Sequence, residues 1–275
     1  MDSYAVIGNP VAHSKSPQIH AAFAAQTGEQ ISYTALFAPL DRFALTVTEF
    51  RDSGGCGLNV TVPFKQEAFC SANVLSDRAS AAGAVNTLSF QGASILGDTT
   101  DGVGLVRDLS VNLGVSLQGL RILLIGSGGA ARGVMAPLLS EKPARLAIVN
   151  RTVAKANELA SSFAKLGPIE VASFVQLGDA TFDIVINATS IGLSDDALSL
   201  SDKLFADGAL AYDMMYGKGL TPFLSQAAAA GGRTADGLGM LVEQAAESFF
   251  IWRGVRPDTR PVLNSLRANL QVTGT

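Results

Sequence analysis

The chain has 275 residues, enough for one large domain or two small ones at about 150 residues per domain. Hydrophobic residues make up 48% and charged residues 16% of the chain, a globular composition that excludes a disordered protein. The 20 Lys and Arg against 24 Asp and Glu give a net charge of −4, so nucleic acid is not an expected partner.

The N-terminus carries an acid at Asp2 and reaches a Gly-Asn-Pro turn by residue 10, unlike the basic and apolar regions of a secretory signal. No apolar run reaches the roughly 18 residues of a membrane helix. We therefore predict a cytoplasmic protein with no membrane partner. Cys56 and Cys70 lack paired-cysteine spacing, and with only 2 histidines they predict reduced, buried thiols and no metal site.

Short β-rich runs alternate with helical stretches along the whole chain. In the first part, strands are predicted over 4–7, 31–38, 58–62 and 85–90, and helices over 17–27 and 41–52. A second series consists of RILLIG from Arg121, RLAIVN from Arg145, DIVINA from Asp183 and ALAYDM from Ala209. These later runs are apolar without polar alternation, as in a parallel sheet covered by helices on both faces.

The pattern predicts an α/β protein of two domains, an N-terminal α/β substrate domain and an inserted, Rossmann-like, doubly wound parallel sheet. Two helical stretches, 102–112 and 239–253, flank the second series and are interpreted as the crossings between the domains. We predict that residues 1–101 and 237–275 form the substrate-binding domain. Residues 102–236 then form the dinucleotide-binding domain.

A glycine-rich turn follows the strand RILLI and matches the pattern G-x-G-x-x-A. Glycine permits a tight turn and lets backbone N–H groups approach a pyrophosphate at a helix N-terminus. The candidate residues are Gly126, Gly128, Gly129, Ala130 and Ala131.

The next strand ends in Asn150-Arg151-Thr152, where an NAD-binding fold usually has an acid for the ribose 2′-hydroxyl. A guanidinium can instead pair with a 2′-phosphate, and Lys155 follows one helical turn later. NADP is therefore predicted as the cofactor rather than NAD.

Further polar motifs stand at segment boundaries. Ser14 and Ser16 follow the first strand, and NVTVPFK places Asn59 and Thr61 on one face of a strand before Lys65. GAVNT and GDTTDG add an amide at Asn86 and a carboxylate at Asp101. Active sites of α/β folds collect at strand ends, although each of these motifs taken alone is more often a turn or a cap than a ligand contact.

Taken together, the motifs resemble the shikimate dehydrogenase family. Those that carry the resemblance, in order, are GNPVAHSKSP, NVTVPFK, GAVNT, GDTTDG, GSGGAAR, NRT, NATSIGL, YDMMYGKGLTPFL and DGLGMLVEQAAESF. They extend from Gly8 to Phe249. The resemblance implies NADPH-dependent, reversible reduction of 3-dehydroshikimate to shikimate, an oxidoreductase step of aromatic amino-acid biosynthesis.

The resemblance also implies roles for individual residues. Ser14 and Ser16, helped by Tyr216, would hold the substrate carboxylate, and Lys65 and Asp101 would act at the reacting oxygen as the catalytic residues. The ring hydroxyls would be bound by Asn59, Thr61, Asn86 and Gln244. The glycine turn, Asn150, Arg151, Thr152, Thr189, Met214 and Gly237 would contact the cofactor, in addition to Lys155 named above.

Two alternatives remain at this point. A quinate/shikimate dehydrogenase would tend to use NAD and to carry an acid in place of Arg151-Thr152. A non-catalytic sensor of pathway metabolites would lack Lys65 or Asp101, and both are present. The sequence leaves open whether the protein is a monomer or a homodimer.

Overall fold

The structure is a computed structural model that describes residues 1–189 and 200–272. The chain divides into two compact units. Unit 1 comprises Met1–Gly104 and Val242–Asn264, and unit 2 comprises Leu105–Leu241 and Ser265–Thr275. No helix among the described residues is long and apolar enough to cross a membrane.

Unit 1 is built around a mixed six-stranded sheet of order β2-β1-β3-β5-β6-β4. Its strands are β1 (Asp2–Gly8), β2 (Ile31–Phe37), β3 (Gly55–Val60), β4 (Val74–Leu75), β5 (Thr87–Gln91) and β6 (Ser94–Asp98). The helices of its N-terminal part are α1 (Ser16–Thr27), α2 (Phe43–Asp52), α3 (Lys65–Ser71) and α4 (Asp77–Ala82). The strands β1, β2 and β3 run parallel to one another, whereas β5 is antiparallel to both β3 and β6.

Unit 2 contains a parallel six-stranded sheet of order β12-β11-β10-β7-β8-β9. Its strands are β7 (Arg121–Ile125), β8 (Arg145–Val149), β9 (Glu170–Ala172), β10 (Phe182–Asn187), β11 (Phe205–Asp213) and β12 (Arg233–Asp236). Its helices are α6 (Gly129–Ser140), α7 (Val153–Phe163) and α8 (Pro222–Ala229). Counted from β7, this order is that of the doubly wound dinucleotide-binding fold.

The apolar runs of the sequence become the central strands of unit 2. Leu123, Ile125, Val149 and Val185 are buried in one core with side chains of the later strands. Both faces of a parallel sheet are covered by helices, so its central strands carry apolar residues without alternation. The predicted α/β fold class with a Rossmann-like sheet is therefore confirmed.

Three helices contain boundaries between the units: α5 (Asp101–Arg107), α9 (Leu238–Arg253) and α10 (Thr259–Val272). Residues from 265 onward group with unit 2, whereas the sequence analysis assigned all of 237–275 to the substrate domain. The physical reason lies in Arg267 on α10, whose guanidinium donates two hydrogen bonds of 2.7 Å to the Asp236 carboxylate of unit 2.

Both cysteines are free thiols, but the expectation that they are buried is wrong. Cys70 is exposed and Cys56 is partly exposed. Cys70 lies on the short helix α3, where Ala68 is the buried residue.

Candidate active site

The segment between β1 and α1 lies beside the end of β3 in unit 1. The backbone N–H of Asn9 donates to Val62 O (3.1 Å), and that of Thr61 donates to Ile7 O (3.0 Å). A Cβ on Gly8 would collide with the Thr61 side chain, so glycine permits this close approach. The parallel strands β1 and β3 thus bring the two predicted substrate motifs to one edge of the sheet.

The backbone of Lys65 is anchored by the preceding residue and by its own carbonyl group. The preceding Phe64 is fully buried and stacks on Phe43 with ring centroids 4.9 Å apart. The carbonyl of Lys65, the first residue of α3, accepts a hydrogen bond from Val85 N (3.0 Å). This anchoring sets where the long Lys65 side chain starts.

The two predicted catalytic residues form an ion pair. Lys65 Nζ donates to Asp101 Oδ2 at 2.5 Å, and the side chains are 23% and 10% exposed respectively. The other carboxylate oxygen, Oδ1, accepts from Asn86 Nδ2 (2.9 Å). Asn86 Nδ2 also lies 3.3 Å from Gln244 Oε1, so four predicted site residues belong to one network.

Asn59 connects to the same network from β3. Its Nδ2 donates to Asn86 O (3.2 Å) and to Ser248 Oγ (2.9 Å), and its Oδ1 accepts from Tyr33 Oη (2.7 Å). Burial raises the pKa of Tyr33 well above its usual value, so this phenol remains a donor. The amide of Asn59 is therefore held in one orientation.

Ser14 and Ser16 stand at the start of α1. Ser14 Oγ accepts from Ser16 N (3.2 Å), and Ser16 is buried. The N-cap of the helix is Lys15, whose side chain makes no capping hydrogen bond. Neither serine therefore caps the helix in the usual way, and the positive end of the helix dipole favours an anion beside them.

His20, on α1, lies within a cluster of aromatic rings. It stacks on Tyr33 with ring centroids 4.1 Å apart and also packs against Phe249 and Trp252. Neither ring nitrogen has a hydrogen-bond partner among the described residues, and burial lowers the pKa of His20 to about 3. His20 is thus a neutral packing residue rather than an acid or base.

The glycine turn of unit 2 leads from β7 into α6. Gly126 has φ +110°, and a Cβ there would lie 2.9 Å from Thr189 Cγ2, so only glycine suits this position. At Gly128 and Gly129 an added Cβ would meet no non-local atom within 4 Å among the described residues. Gly128, the N-cap of α6, supplies no side-chain cap. The backbone N–H groups at this helix start can therefore receive a pyrophosphate.

Arg151 is the second residue after β8 and is exposed. Among the described residues it forms no ion pair. Asn150 Nδ2 donates to Thr152 O (2.9 Å), which shapes the turn into α7, and Lys155 is exposed on the first turn of that helix. The arrangement presents two cations to solvent next to the strand end, as binding of a 2′-phosphate requires.

The remaining predicted cofactor residues follow β10, β11 and β12. Thr189 Oγ1 donates to Asn187 Oδ1 (2.7 Å), and Met214 N donates to Asn187 O (3.0 Å). A Cβ on Gly237 would collide with the Met214 backbone. These positions surround the carboxyl ends of the strands, where the doubly wound fold binds its ligands.

Two further predictions concern Tyr216 and the NATSIGL motif. Tyr216, assigned to the substrate carboxylate, belongs to unit 2, whereas both serines belong to unit 1. Burial raises the pKa of Tyr216, and the negative charge of Asp236 adds to that rise. Of the NATSIGL motif, residues 190–193 lie outside the described residues.

Several polar residues of these networks were not predicted from the sequence. Thr87, Thr100 and Ser248 are buried and hydrogen-bond to one another or to Asn59 and Asn86. Thr87 and Thr100 stand inside the motifs GAVNT and GDTTDG, which is a signal that could have identified them. Ser248 stands inside the motif DGLGMLVEQAAESF, but nothing in that motif indicates its contact with Asn59 on β3.

Models of known protein families match three segments of this chain, which together cover most of it. Residues 6–88 match the family model described as the shikimate dehydrogenase substrate binding domain. Residues 109–193 match shikimate / quinate 5-dehydrogenase, and residues 237–267 match the shikimate 5′-dehydrogenase C-terminal domain.

Full-length relatives and solved structures agree with these matches. The shikimate dehydrogenase (NADP(+)) of Dechloromonas aromatica (strain RCB) is 60% identical over 270 residues, which cover 98% of each protein. The Ael1 enzyme from Pseudomonas putida is 47% identical with a TM-score of 0.91, covering 97% of this chain and 98% of that one. Shikimate 5-dehydrogenase from Thermus thermophilus, solved with NADP(H) and shikimate, is 32% identical with a TM-score of 0.88, covering 98% of this chain and 99% of that one.

Proposed function

The chain belongs to the shikimate dehydrogenase family, and we propose that it catalyses the reversible, NADPH-dependent reduction of 3-dehydroshikimate to shikimate. Unit 1 supplies the substrate-binding and catalytic residues in this proposal, and unit 2 supplies the NADP-binding residues. The observation that carries the proposal is the Lys65–Asp101 ion pair, which is tied to Asn86 and Gln244 in one hydrogen-bonded network.

The ion pair supports proton transfer at the reacting oxygen. An ammonium group has three N–H donors, and Lys65 uses one of them on Asp101. The others remain for the carbonyl oxygen of 3-dehydroshikimate, where they stabilise developing negative charge and supply the proton. In the oxidative direction the same pair takes the hydroxyl proton back.

Asn86 keeps the pair in this arrangement. Its Nδ2 donates to Asp101 Oδ1, while Thr100 N donates to Asn86 Oδ1 (2.9 Å). The carboxylate is thereby held on one oxygen and presents the other to Lys65. Preorganised groups of this kind need no rearrangement when charge develops in the transition state.

The proposed substrate contacts match the chemistry of a polyhydroxylated ring acid. Neutral groups at Asn59, Thr61, Asn86 and Gln244 bind ring hydroxyls, and a site built to pair with hydroxyls rejects analogues that lack them. The substrate carboxylate is received at Ser14 and Ser16, by the positive end of α1.

The residues of unit 2 fit NADP. When bound, NADPH supplies the hydride that reduces the carbonyl carbon. The open Gly128 and Gly129 positions and the N-terminus of α6 receive the pyrophosphate. The exposed Arg151 pairs with the 2′-phosphate, assisted by Lys155 and Thr152.

The experiment that tests the proposal compares two substrates and two cofactors. Purified protein is assayed with shikimate or quinate, each with NADP or NAD, by the absorbance of the reduced nicotinamide. We expect kcat/KM to be highest for shikimate with NADP. Equal or greater efficiency on quinate would instead indicate a quinate/shikimate dehydrogenase, and binding of shikimate without turnover would indicate a sensor.

We further propose that the enzyme works in the cytoplasm, the compartment that supplies NADPH to a biosynthetic reduction, as a monomer or homodimer without nucleic acid. The net charge of −4 disfavours nucleic-acid binding. Sedimentation velocity at assay concentration determines the oligomeric state.

A further inference from the structure

Two buried polar side chains end neighbouring strands of the unit 2 sheet. Asn187 is the last residue of β10 and Asp213 the last residue of β11, and the two are partners in the parallel register. Both are 0% exposed. Asn187 Nδ2 donates to Asp213 Oδ1 over 3.2 Å, so the pair links the strand ends through their side chains.

Asn187 fixes the loop that carries Thr189. Its Oδ1 accepts two hydrogen bonds from Thr189, one from the backbone N–H (3.1 Å) and one from the hydroxyl (2.7 Å). The Thr189 methyl group then faces Gly126, because a Cβ at that glycine would lie 2.9 Å from it. The orientation of one buried amide therefore sets how Thr189 approaches the glycine turn.

Asp213 fixes the loop after β11. Its Oδ1 accepts from Met215 N (3.0 Å), and its Oδ2 accepts from Thr221 Oγ1 (2.6 Å) at the start of α8. Burial raises the pKa of Asp213, while hydrogen bonds from Thr221, Met215 and Asn187 act in the opposite direction.

The same pair reaches the segment after β12. Met214 N donates to Asn187 O (3.0 Å), and Met215 O accepts from Gly237 N (3.0 Å). Thr189, Met214 and Gly237 are all predicted cofactor residues. Three separate segments are thus joined through Asn187 and Asp213, which are themselves inaccessible to a ligand.

We propose that Asn187 and Asp213 are positioning residues for NADP. They hold the three segments at the spacing that the dinucleotide requires, without contacting it. This inference rests on the proposed use of NADP by the chain. Asn187 and Asp213 are an amide and a carboxylate in an apolar core, where polar groups need hydrogen-bond partners. The role assigned to them is to hold these segments through those hydrogen bonds.

The test measures binding directly rather than turnover. NADPH and NADH are titrated into wild type and variants by nicotinamide fluorescence and by calorimetry. We expect Asn187→Ala to raise the Kd of NADPH about tenfold, equivalent to about 1.4 kcal/mol. The Kd of NADH rises by the same factor because Arg151 is untouched, and shikimate binding without cofactor stays unchanged.

Variants of Asp213 separate positioning from charge. In Asp213→Asn the remaining carbonyl oxygen still accepts from Met215 and Asn187, and the Thr221 hydroxyl can turn to accept from the new amide. We expect its NADPH Kd to stay within about twofold of wild type. Asp213→Ala loses all these contacts and should weaken NADPH as Asn187→Ala does.

Asp183→Asn is the matched control on the same strand. Asp183 lies near the opposite end of β10 and accepts from Arg121 N (2.8 Å) and from the Arg121 guanidinium. We expect it to lower Tm while leaving the NADPH Kd unchanged. If Asn187→Ala does not fold, Asn187→Ser replaces it, since its hydroxyl still accepts from the Thr189 amide but does not reach Asp213.

Several outcomes would overturn the inference. Unchanged NADPH affinity in the folded Asn187 variant, an equal loss in Asp183→Asn, or a loss confined to NADPH would each contradict positioning by the pair. Wild-type protein that binds neither cofactor would instead refute the proposed function. The two failures are therefore distinguishable.

Discussion

Replacing Arg151 with alanine separates recognition of NADP from that of NAD. Arg151 is exposed at the end of β8, and in the described part of the chain it has no ion-pair partner, so its removal leaves no buried charge behind. A hydrogen bond between charged groups contributes about 1.5–3 kcal/mol, and about 1.4 kcal/mol corresponds to a tenfold change in binding. We expect the KM for NADP to rise about 10- to 100-fold and the KM for NAD to stay nearly constant.

The lower end of this range is favoured by two features. Lys155 and Thr152 stand next to the same position and compensate part of the loss. The site is exposed to solvent, so salt screens the interaction, with a Debye length of about 8 Å at 0.15 M. The double variant Arg151→Ala/Lys155→Ala should therefore lose more NADP affinity than either single variant.

The assay determines KM for both cofactors at saturating shikimate and fixed ionic strength. Lys165→Ala is the control, because Lys165 is an exposed cation just beyond the other end of α7. That 11-residue helix is about 16 Å long, more than a Debye length. An equal rise in KM for NADP and NAD would show that Arg151 supports the fold or the pyrophosphate site. An equal effect of Lys165→Ala would show that the change in net charge, and not the position of Arg151, causes the loss.

Three further predictions concern other parts of the chain. Lys65→Ala should lower kcat by about 10²-fold or more with little change in the NADP Kd, and near-full kcat in folded protein would refute proton transfer by Lys65. In the unfolded chain His20 binds a proton below about pH 6.5, whereas in the folded protein it does so only near pH 3. The free energy of unfolding should therefore fall as pH falls, by about 2 kcal/mol between pH 7 and 5. Urea unfolding at both pH values should show this loss reduced in His20→Phe but retained in His13→Gln, and an unchanged loss in His20→Phe would contradict it. Arg267→Ala should lower Tm, since it leaves the partly buried Asp236 carboxylate without its bidentate partner, and an unaltered Tm would contradict this anchoring of α10.

The fold was predictable wherever burial alone determines the residue types. Strands β7, β8 and β10 are covered on both faces, and their apolar runs predicted them. The edge strand β12 consists of Arg-Thr-Ala-Asp and carries no such signal, because it has only one neighbouring strand and partial burial. The three-residue β9 is too short for any periodicity to appear.

Site residues that belong to one short motif could be predicted from the sequence. Contacts between residues far apart in the chain could not. Lys65 and Asp101 were found from short motifs, and their ion pair joins residues 36 positions apart. Ser248 contacts Asn59 across 189 positions, and only the packing of α9 on the sheet creates that contact. The link between Asn187 and Asp213 depends on strand register, which the two separate motifs do not specify.

The most direct test of the proposed reaction follows both products in the reductive direction. Purified protein is mixed with 3-dehydroshikimate and NADPH, and the loss of reduced nicotinamide is compared with the shikimate formed, measured by NMR. The proposed function predicts one shikimate for each NADPH oxidised, with about 1% as much shikimate or less formed by Lys65→Ala over the same time. Absence of NADPH oxidation, or oxidation without a matching amount of shikimate, would contradict it.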